Sequence, residues 1–273
     1  SDFPTIQSYL ENQNLSRRLI RRLKKSGTFL LNKSEAKPYF KLKKGDILEI
    51  SWQEDSDFYP AENAELDVLY EDDAFLVVAK PHNVTMHPTK KTQKDTLAQR
   101  VLGYYRQNNI EAGVHFINRL DYATSGIVLL TKNGYMHSVI AQDQSNIVKE
   151  YIAKVAGTLQ QEEGWIKEPI LRAIPPSIIR FVDRGGKEAI TQFRVIQKDE
   201  QSTFVQVRLF TGRTHQIRVH FSHIGHPLIG DGLYGSKEER MFLHCYFISF
   251  LHPITKKIIQ LYNMPSWYKE EIR

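Results

Sequence analysis

From residue 66 to residue 261 the chain repeats one pattern, short apolar runs rich in β-branched residues and broken by Gly, Pro, Asn and Asp. Runs of this length and composition read as strands. They fall at Leu66–Tyr70, Phe75–Ala79, Gly126–Thr131, Tyr151–Ala156, Gln192–Val195, Phe204–Phe210 and Ile258–Leu261. Only Thr96–Gln107 and Gly134–Gln142 in this stretch carry the 3.6-residue period of an amphipathic helix. The expected fold is therefore α+β, a mixed and mainly antiparallel sheet with flanking helices. No internal repeat is visible. The single cysteine, Cys245, stands among apolar neighbours in MFLHCYF and reads as buried packing, which excludes an intramolecular disulfide and a cysteine metal cage.

The net charge of +6 is not spread along the chain. Residues 1–50 hold eleven Lys and Arg against five Asp and Glu, and the rest balances at 26 of each. The basic residues gather in one predicted helix, where Leu15, Leu19, Ile20 and Leu23 form an apolar stripe between Ser16 as N-cap and Gly27 as stop. Arg17, Arg18, Arg21, Arg22, Lys24 and Lys25 crowd its other faces. An apolar run at 28–31, turns at Asn32-Lys33 and Gly45-Asp46, and a short strand at 47–52 complete a small module. Such a concentration of charge suits nucleic acid or an anionic membrane surface, and a merely solvated helix face would look the same. Residues 53–65, acidic and carrying Pro60, read as a linker, giving domains at 1–52 and 66–273. No apolar run reaches the roughly 20 residues of a membrane span, and Ser1 to Tyr9 lack a signal-peptide layout, so a cytoplasmic location without membrane contact is expected.

The stretch Asn118-Arg-Leu-Asp-Tyr-Ala-Thr-Ser-Gly126 leads directly into an apolar strand and sets Asp121 at the rim of a sheet. On spacing alone, an Asp in that position more often caps its own turn. Two further stretches, Lys149-Glu-Tyr-Ile-Ala153 and Gly212-Arg-Thr-His-Gln-Ile-Arg-Val-His220, follow in order, together with Tyr70-Glu-Asp-Asp73, Lys80-Pro81, His87-Pro88 and Gly225-His-Pro-Leu-Ile-Gly-Asp-Gly232.

These pieces resemble, in order and spacing from about residue 66 to 265, the RluA family of pseudouridine synthases, whose catalytic motif is HRLD, two variable residues and TSG. The module at 1–52 resembles the S4-like RNA-binding domain, named after a ribosomal small-subunit protein, in which a basic helix and hairpin grip structured RNA. The resemblance implies a pseudouridine synthase fold, an isomerase needing no cofactor or metal, and RNA, ribosomal or transfer, as substrate. DNA is not expected as a partner, and a monomer is.

Isomerising uridine means detaching the base at nitrogen 1, turning it and rejoining it through carbon 5, with no redox change. One carboxylate suffices, bonding transiently either to carbon 6 of the base or to the anomeric carbon. The resemblance assigns that role to Asp121. Arg218, whose alternative is an RNA-phosphate contact, is implied as the ion-pair partner that keeps the carboxylate ionised and oriented. Tyr151, which on its own would more often be core, is implied as the ring that stacks on uracil and assists proton removal from carbon 5. The base must leave its stack to react, and Arg119 matches the family residue that stabilises the distorted strand. Asn118 departs from the family's usual His, and with Arg213 and His215 it stands among the expected RNA contacts. His215, His220, His223, His226 and His244 could suit zinc by spacing, yet several belong to the motifs above, and structural or RNA-contacting roles fit them better. A rival reading is an RNA-binding protein that keeps the fold without activity; an altered Asp121, Tyr151 or Arg218 would favour it, and all three are present.

Overall fold

The structure is a computed structural model that describes residues 5–13, 15–54, 60–89, 92–142 and 146–271. The first fifty residues build a small module of their own. Helix α1 (Ile6–Asn12) is capped by Thr5, and α2 (Arg17–Ser26) by Ser16, whose hydroxyl accepts from Leu19 N at 3.1 Å. At Gly27 a Cβ would meet the Leu23 carbonyl oxygen at 2.6 Å, so the chain can turn there only without a side chain. Strands β1 (Thr28–Leu31), β2 (Ser34–Ala36) and β3 (Leu48–Ser51) pair antiparallel in the order β2-β1-β3, with Asn32 and Lys33 both at positive φ in the first turn. Ile6, Leu10, Leu19, Leu23, Phe29 and Ala36 form its core.

Ten of the remaining twelve strands join one sheet. It begins with β4 (Asp67–Glu71) and β5 (Phe75–Lys80), followed by helix α3 (Leu97–Gln107), which starts one residue later than expected because Thr96 is its N-cap in a capping box with Gln99. The short β6 (His115–Phe116) and the long β7 (Ser125–Thr131) precede helix α4 (Gly134–Ala141). Strands β8 (Val148–Ala156) and β9 (Glu163–Ile166) lead to a separate hairpin of β10 (Ile170–Arg172) and β11 (Arg180–Val182), then to β12 (Thr191–Lys198) and β13 (Ser202–Leu209). Helix α5 (Gln216–His223), β14 (Leu243–Leu251), β15 (Ile258–Tyr262) and helix α6 (Ser266–Glu271) end the chain. The sheet order is β4-β5-β7-β14-β8-β13-β12-β9, with β6 beside β7 and β15 beside β14.

Every pairing in that sheet is antiparallel except β7 with β14, which run parallel over His244↔Ser125 and Cys245↔Gly126. Gly126, at φ +116°, makes this seam possible, because a Cβ there would lie 2.3 Å from the Cys245 carbonyl oxygen. The seam therefore draws the chain just after Asp121 against the middle of the sheet. Phe75 to Val78 and Ile127 to Leu130 are fully buried, as strands covered on both faces must be.

The segment expected as a linker is anchored at both ends. Residues 55–59 lie outside the described residues, but Glu54 is buried and accepts from Arg22 Nη1 (2.7 Å), Trp52 Nε1 (2.8 Å) and the Gly134 backbone N (2.8 Å), with His115 Nε2 at 2.9 Å. Further on, Glu62 N donates to Gln99 O, and Gly103 leaves room for the Glu62 carbonyl against α3. Ser16 N also donates to Ser138 Oγ on α4. Glu54 thus latches α2 to the N-terminal end of α4. Arg22, expected among the RNA contacts, instead spends its guanidinium on this buried carboxylate, which leaves Arg17, Arg18, Arg21, Lys24 and Lys25 on the exposed side of α2.

Candidate active site

Asp121 lies in the loop that enters β7, its carbonyl closing a turn with Thr124 N, so the turn read from the sequence exists. Its carboxylate, however, faces a cleft of about 540 Å³ at the β7/β14 seam, walled by Tyr151 of β8, the segment Leu209 to Arg213 after β13, and Arg218 of α5. The loop is pinned from behind. Lys80 ends β5 fully buried, and its Nζ donates to the carbonyls of Pro81 (2.8 Å), Val84 (2.8 Å) and Tyr122 (3.2 Å), the last being the neighbour of Asp121. Burial pushes this ammonium down to about 7, while the negative charge of Asp121 opposes the shift.

Arg218 Nη1 donates to Asp121 Oδ2 at 3.1 Å. Its other two nitrogens are committed elsewhere, Nε to Asp231 Oδ2 and Nη2 to Asp231 Oδ1, both at 2.7 Å. The planar fork is therefore closed on Asp231, and Asp121 receives a single bond from an arginine already fixed in place. Asp231 is itself held by the Leu233 backbone N, and the Tyr234 ring lies 5.1 Å from the guanidinium carbon. Burial works against the Arg218 charge, but the two carboxylates outweigh it and raise its pKa further. Tyr151 is buried, and burial, followed by its neighbour Cys245 and by Asp121, holds its phenol well above the ordinary tyrosine value, so the hydroxyl, beside Cys245, stays protonated.

His215 adopts φ +59° at the start of α5, with Nδ1 2.8 Å from Tyr234 Oη and Nε2 3.8 Å from Asp121 Oδ2. Desolvation lowers its pKa, so it sits beside Asp121 as a neutral ring. Arg119 is exposed on the cleft wall, and so is Arg213, which donates through Nε to Glu188 O. Asn118 lines the same wall but differs from the expected RNA contact. Its amide is buried and used at both ends by β7, Nδ2 donating to Ile127 O and Oδ1 accepting from Leu129 N. None of the six basic residues of α2 lines the cleft. The five histidines diverge: His220 meets Thr191 and Glu168 O, His226 meets Ala156 O, His244 meets Ser125 and Asn263, and His223 lies at the exposed end of α5. Among the described residues no group of three His, Cys, Asp or Glu is positioned to hold a metal ion.

Sequence reasoning missed Asp231 as a site residue although it lies in the quoted stretch Gly225 to Gly232, and it missed Lys80 although Lys80-Pro81 was noted. An acidic residue in a motif was the available signal for Asp231. For Lys80 there was none, since the carbonyls it caps come from three loop positions.

The family model described as RNA pseudouridylate synthase matches residues 74–223, and the chain belongs to that family and is a pseudouridine synthase. It is 38% identical over 262 residues to the uncharacterized RNA pseudouridine synthase YjbO of Bacillus subtilis, covering 93% of this chain and 92% of the relative. It is also 31% identical over 249 residues to the ribosomal large subunit pseudouridine synthase D of Haemophilus ducreyi, covering 84% of this chain and 76% of the relative. Among solved structures, human RNA pseudouridylate synthase domain containing 1 shares the fold with a TM-score of 0.62 at 24% identity, over 76% of this chain and 86% of that one. No described helix is long and apolar enough to cross a membrane.

Proposed function

We propose that the protein isomerises specific uridines of structured RNA in the cytoplasm, as a monomer, with Asp121 as the nucleophile. The observation that carries this reading is the single bond from Arg218 to Asp121, 3.1 Å, made by a guanidinium already locked by Asp231. One lone pair region of Asp121 is thereby fixed, and the rest of the carboxylate faces the open cleft. The bond from nitrogen 1 to the anomeric carbon breaks, the base turns, and a bond from carbon 5 to the same carbon forms; the proton of carbon 5 is removed and nitrogen 1 gains one. Atoms balance without a redox partner, so no cofactor or metal enters the scheme. Asp121 holds the detached fragment through either the ribose or the base, and both leave the same Arg218 bond intact.

Tyr151, uncharged and desolvated, supplies a flat face for the uracil and a hydroxyl within the same pocket for handling the carbon 5 proton. Arg119 and Arg213 on the rim supply charge for phosphates, and the module at 1–52, read as an S4-like RNA-binding domain, supplies more. The name of the Haemophilus relative favours ribosomal large-subunit RNA over transfer RNA as substrate. Asp121→Asn tests the core of this: it is expected to leave folding and RNA affinity close to wild type while isomerisation falls by ~10³-fold or more. Pseudouridine mapping after single-turnover incubation with unmodified ribosomal and transfer RNA transcripts reads the outcome, and appreciable turnover by the variant removes Asp121 from the role.

A further inference from the structure

At the far edge of the sheet, β9 carries Trp165, and the residue after β13 is Phe210. Their ring centroids lie 5.0 Å apart with planes inclined at 40°, and each side chain is 49% exposed. Two large rings left half in water beside a cleft are a costly arrangement, and single-sided exposure of this kind marks a contact surface more often than a core. A cation stands on each ring. Lys167 Nζ is 5.3 Å from the Trp165 centroid, and the Arg208 guanidinium is 5.2 Å from that of Phe210.

Among the described residues neither Lys167 nor Arg208 forms a salt bridge. Glu163 pairs with Arg194, Glu162 pairs with Lys198, and Glu150, which faces Arg208 across the ladder, accepts from Gln206 and Tyr246. The ladder register Trp165↔Gln192↔Arg208 keeps the tryptophan and the arginine on one face, the one opposite Tyr151, whose rung Tyr151↔Val207 is the neighbour of Glu150↔Arg208. Phe210 lies at the boundary, since it also lines the cleft that holds Asp121. A cross-strand aromatic pair that merely stabilises a sheet edge would need neither the cations nor continuity with the cleft.

We propose that Trp165 and Phe210 form a stacking platform for one unpaired base of the substrate RNA, a neighbour of the target uridine, with Lys167 and Arg208 taking its phosphates. The proposal rests on the RNA-isomerase reading above. Every base offers a π-face, and an exposed aromatic beside cations is the arrangement that holds single-stranded RNA without reading its sequence. A uridine drawn out of its stack leaves its neighbour partly unstacked too, and the platform receives it.

The test uses the full chain and two labelled probes, a single-stranded RNA 10-mer and its abasic counterpart with the same phosphates and no bases. Trp165→Ala is expected to weaken the 10-mer roughly ten-fold or more, Trp165→Phe to stay close to wild type, and the abasic strand to bind all three proteins alike. In turnover of a stem-loop carrying a mapped target, Trp165→Ala raises KM and leaves kcat at saturation unchanged. Equal binding of the 10-mer to wild type and Trp165→Ala would assign the patch to a protein contact and overturn the proposal, and so would an equal loss with the abasic strand, which would mean charge alone. Loss in Trp165→Ala with a wild type that isomerises nothing would instead retain the platform and sink the catalytic reading.

Discussion

Arg218 gives two of its three donor nitrogens to Asp231 and one to Asp121. The division makes Asp231 a positioning residue. Asp231→Asn keeps the shape of the side chain but removes the charge that holds the fork, so Arg218 is freed to rotate within its pocket. Turnover is expected to fall by about ten-fold or more with KM little changed, and stability to drop by about 3 kcal/mol from the uncompensated buried cation. Arg218→Lys loses the fork altogether and is expected to lose ~10²-fold in kcat with RNA affinity almost unchanged. Single-turnover rates and binding constants for the two variants separate the cases; near-normal turnover in Arg218→Lys would return that residue to the phosphate contacts. The Asp121 to Arg218 contact could be anticipated from motif order, whereas the Asp231 contact closes across a turn of thirteen residues and no periodicity announces it. Asn118 was legible as a departure from the family, but its pairing with β7 was not, because an amide that replaces a ladder partner looks in sequence like any surface Asn.

Among the elements, most strands of the large sheet were legible, the doubly covered β5 and β7 included, and the central β14 was not. β14 spans nine residues and crosses the centre of the sheet, yet LHCYFISFL shows no period of two, since both faces are covered, and only its cysteine read as packing. β9, β10 and β11 are too short for any pattern, and β9 pairs with β12, across the β10-β11 hairpin. The partners of Glu54, in the stretch read as a linker, were hidden for a related reason: a carboxylate in an acidic polar stretch looks solvated until its contacts with α2 and α4 are known. Desolvation raises the Glu54 pKa, but hydrogen bonds from His115, the Gly134 amide and Trp52 outweigh it and hold the carboxyl near 2, against 4.5 ordinarily. A depressed carboxyl stabilises the folded state above its unfolded value, so this contribution is complete above pH 4.5 and is lost as pH falls toward 2. Glu54→Gln is expected to cost about 1–3 kcal/mol at neutral pH and to remove that part of the acid dependence. Thermal melts of both proteins between pH 2 and 7 check it; parallel curves would show that Glu54 is not the group that titrates.

For the whole molecule, the basic residues of α2 lie outside the cleft that holds Asp121. Residues 1–50 hold the entire net charge of +6, and a chain lacking residues 1–52 is expected to bind RNA more weakly, with a flatter dependence of log affinity on log salt. Filter binding across a salt series measures this, and an unchanged slope would mean that α2 faces something other than substrate. The latch at Glu54 bears on how the two parts work together. With a slack tether, the second contact of a bound RNA is governed by chain statistics, and a range of spacings is served almost equally. On the proposed reading of the module as an RNA-binding arm, one bolted to the body by a buried carboxylate behaves instead as a fixed-jaw caliper: an RNA whose grip point and target uridine stand at the set separation gains both contacts at once, and one of another length gains only the first, whatever its sequence.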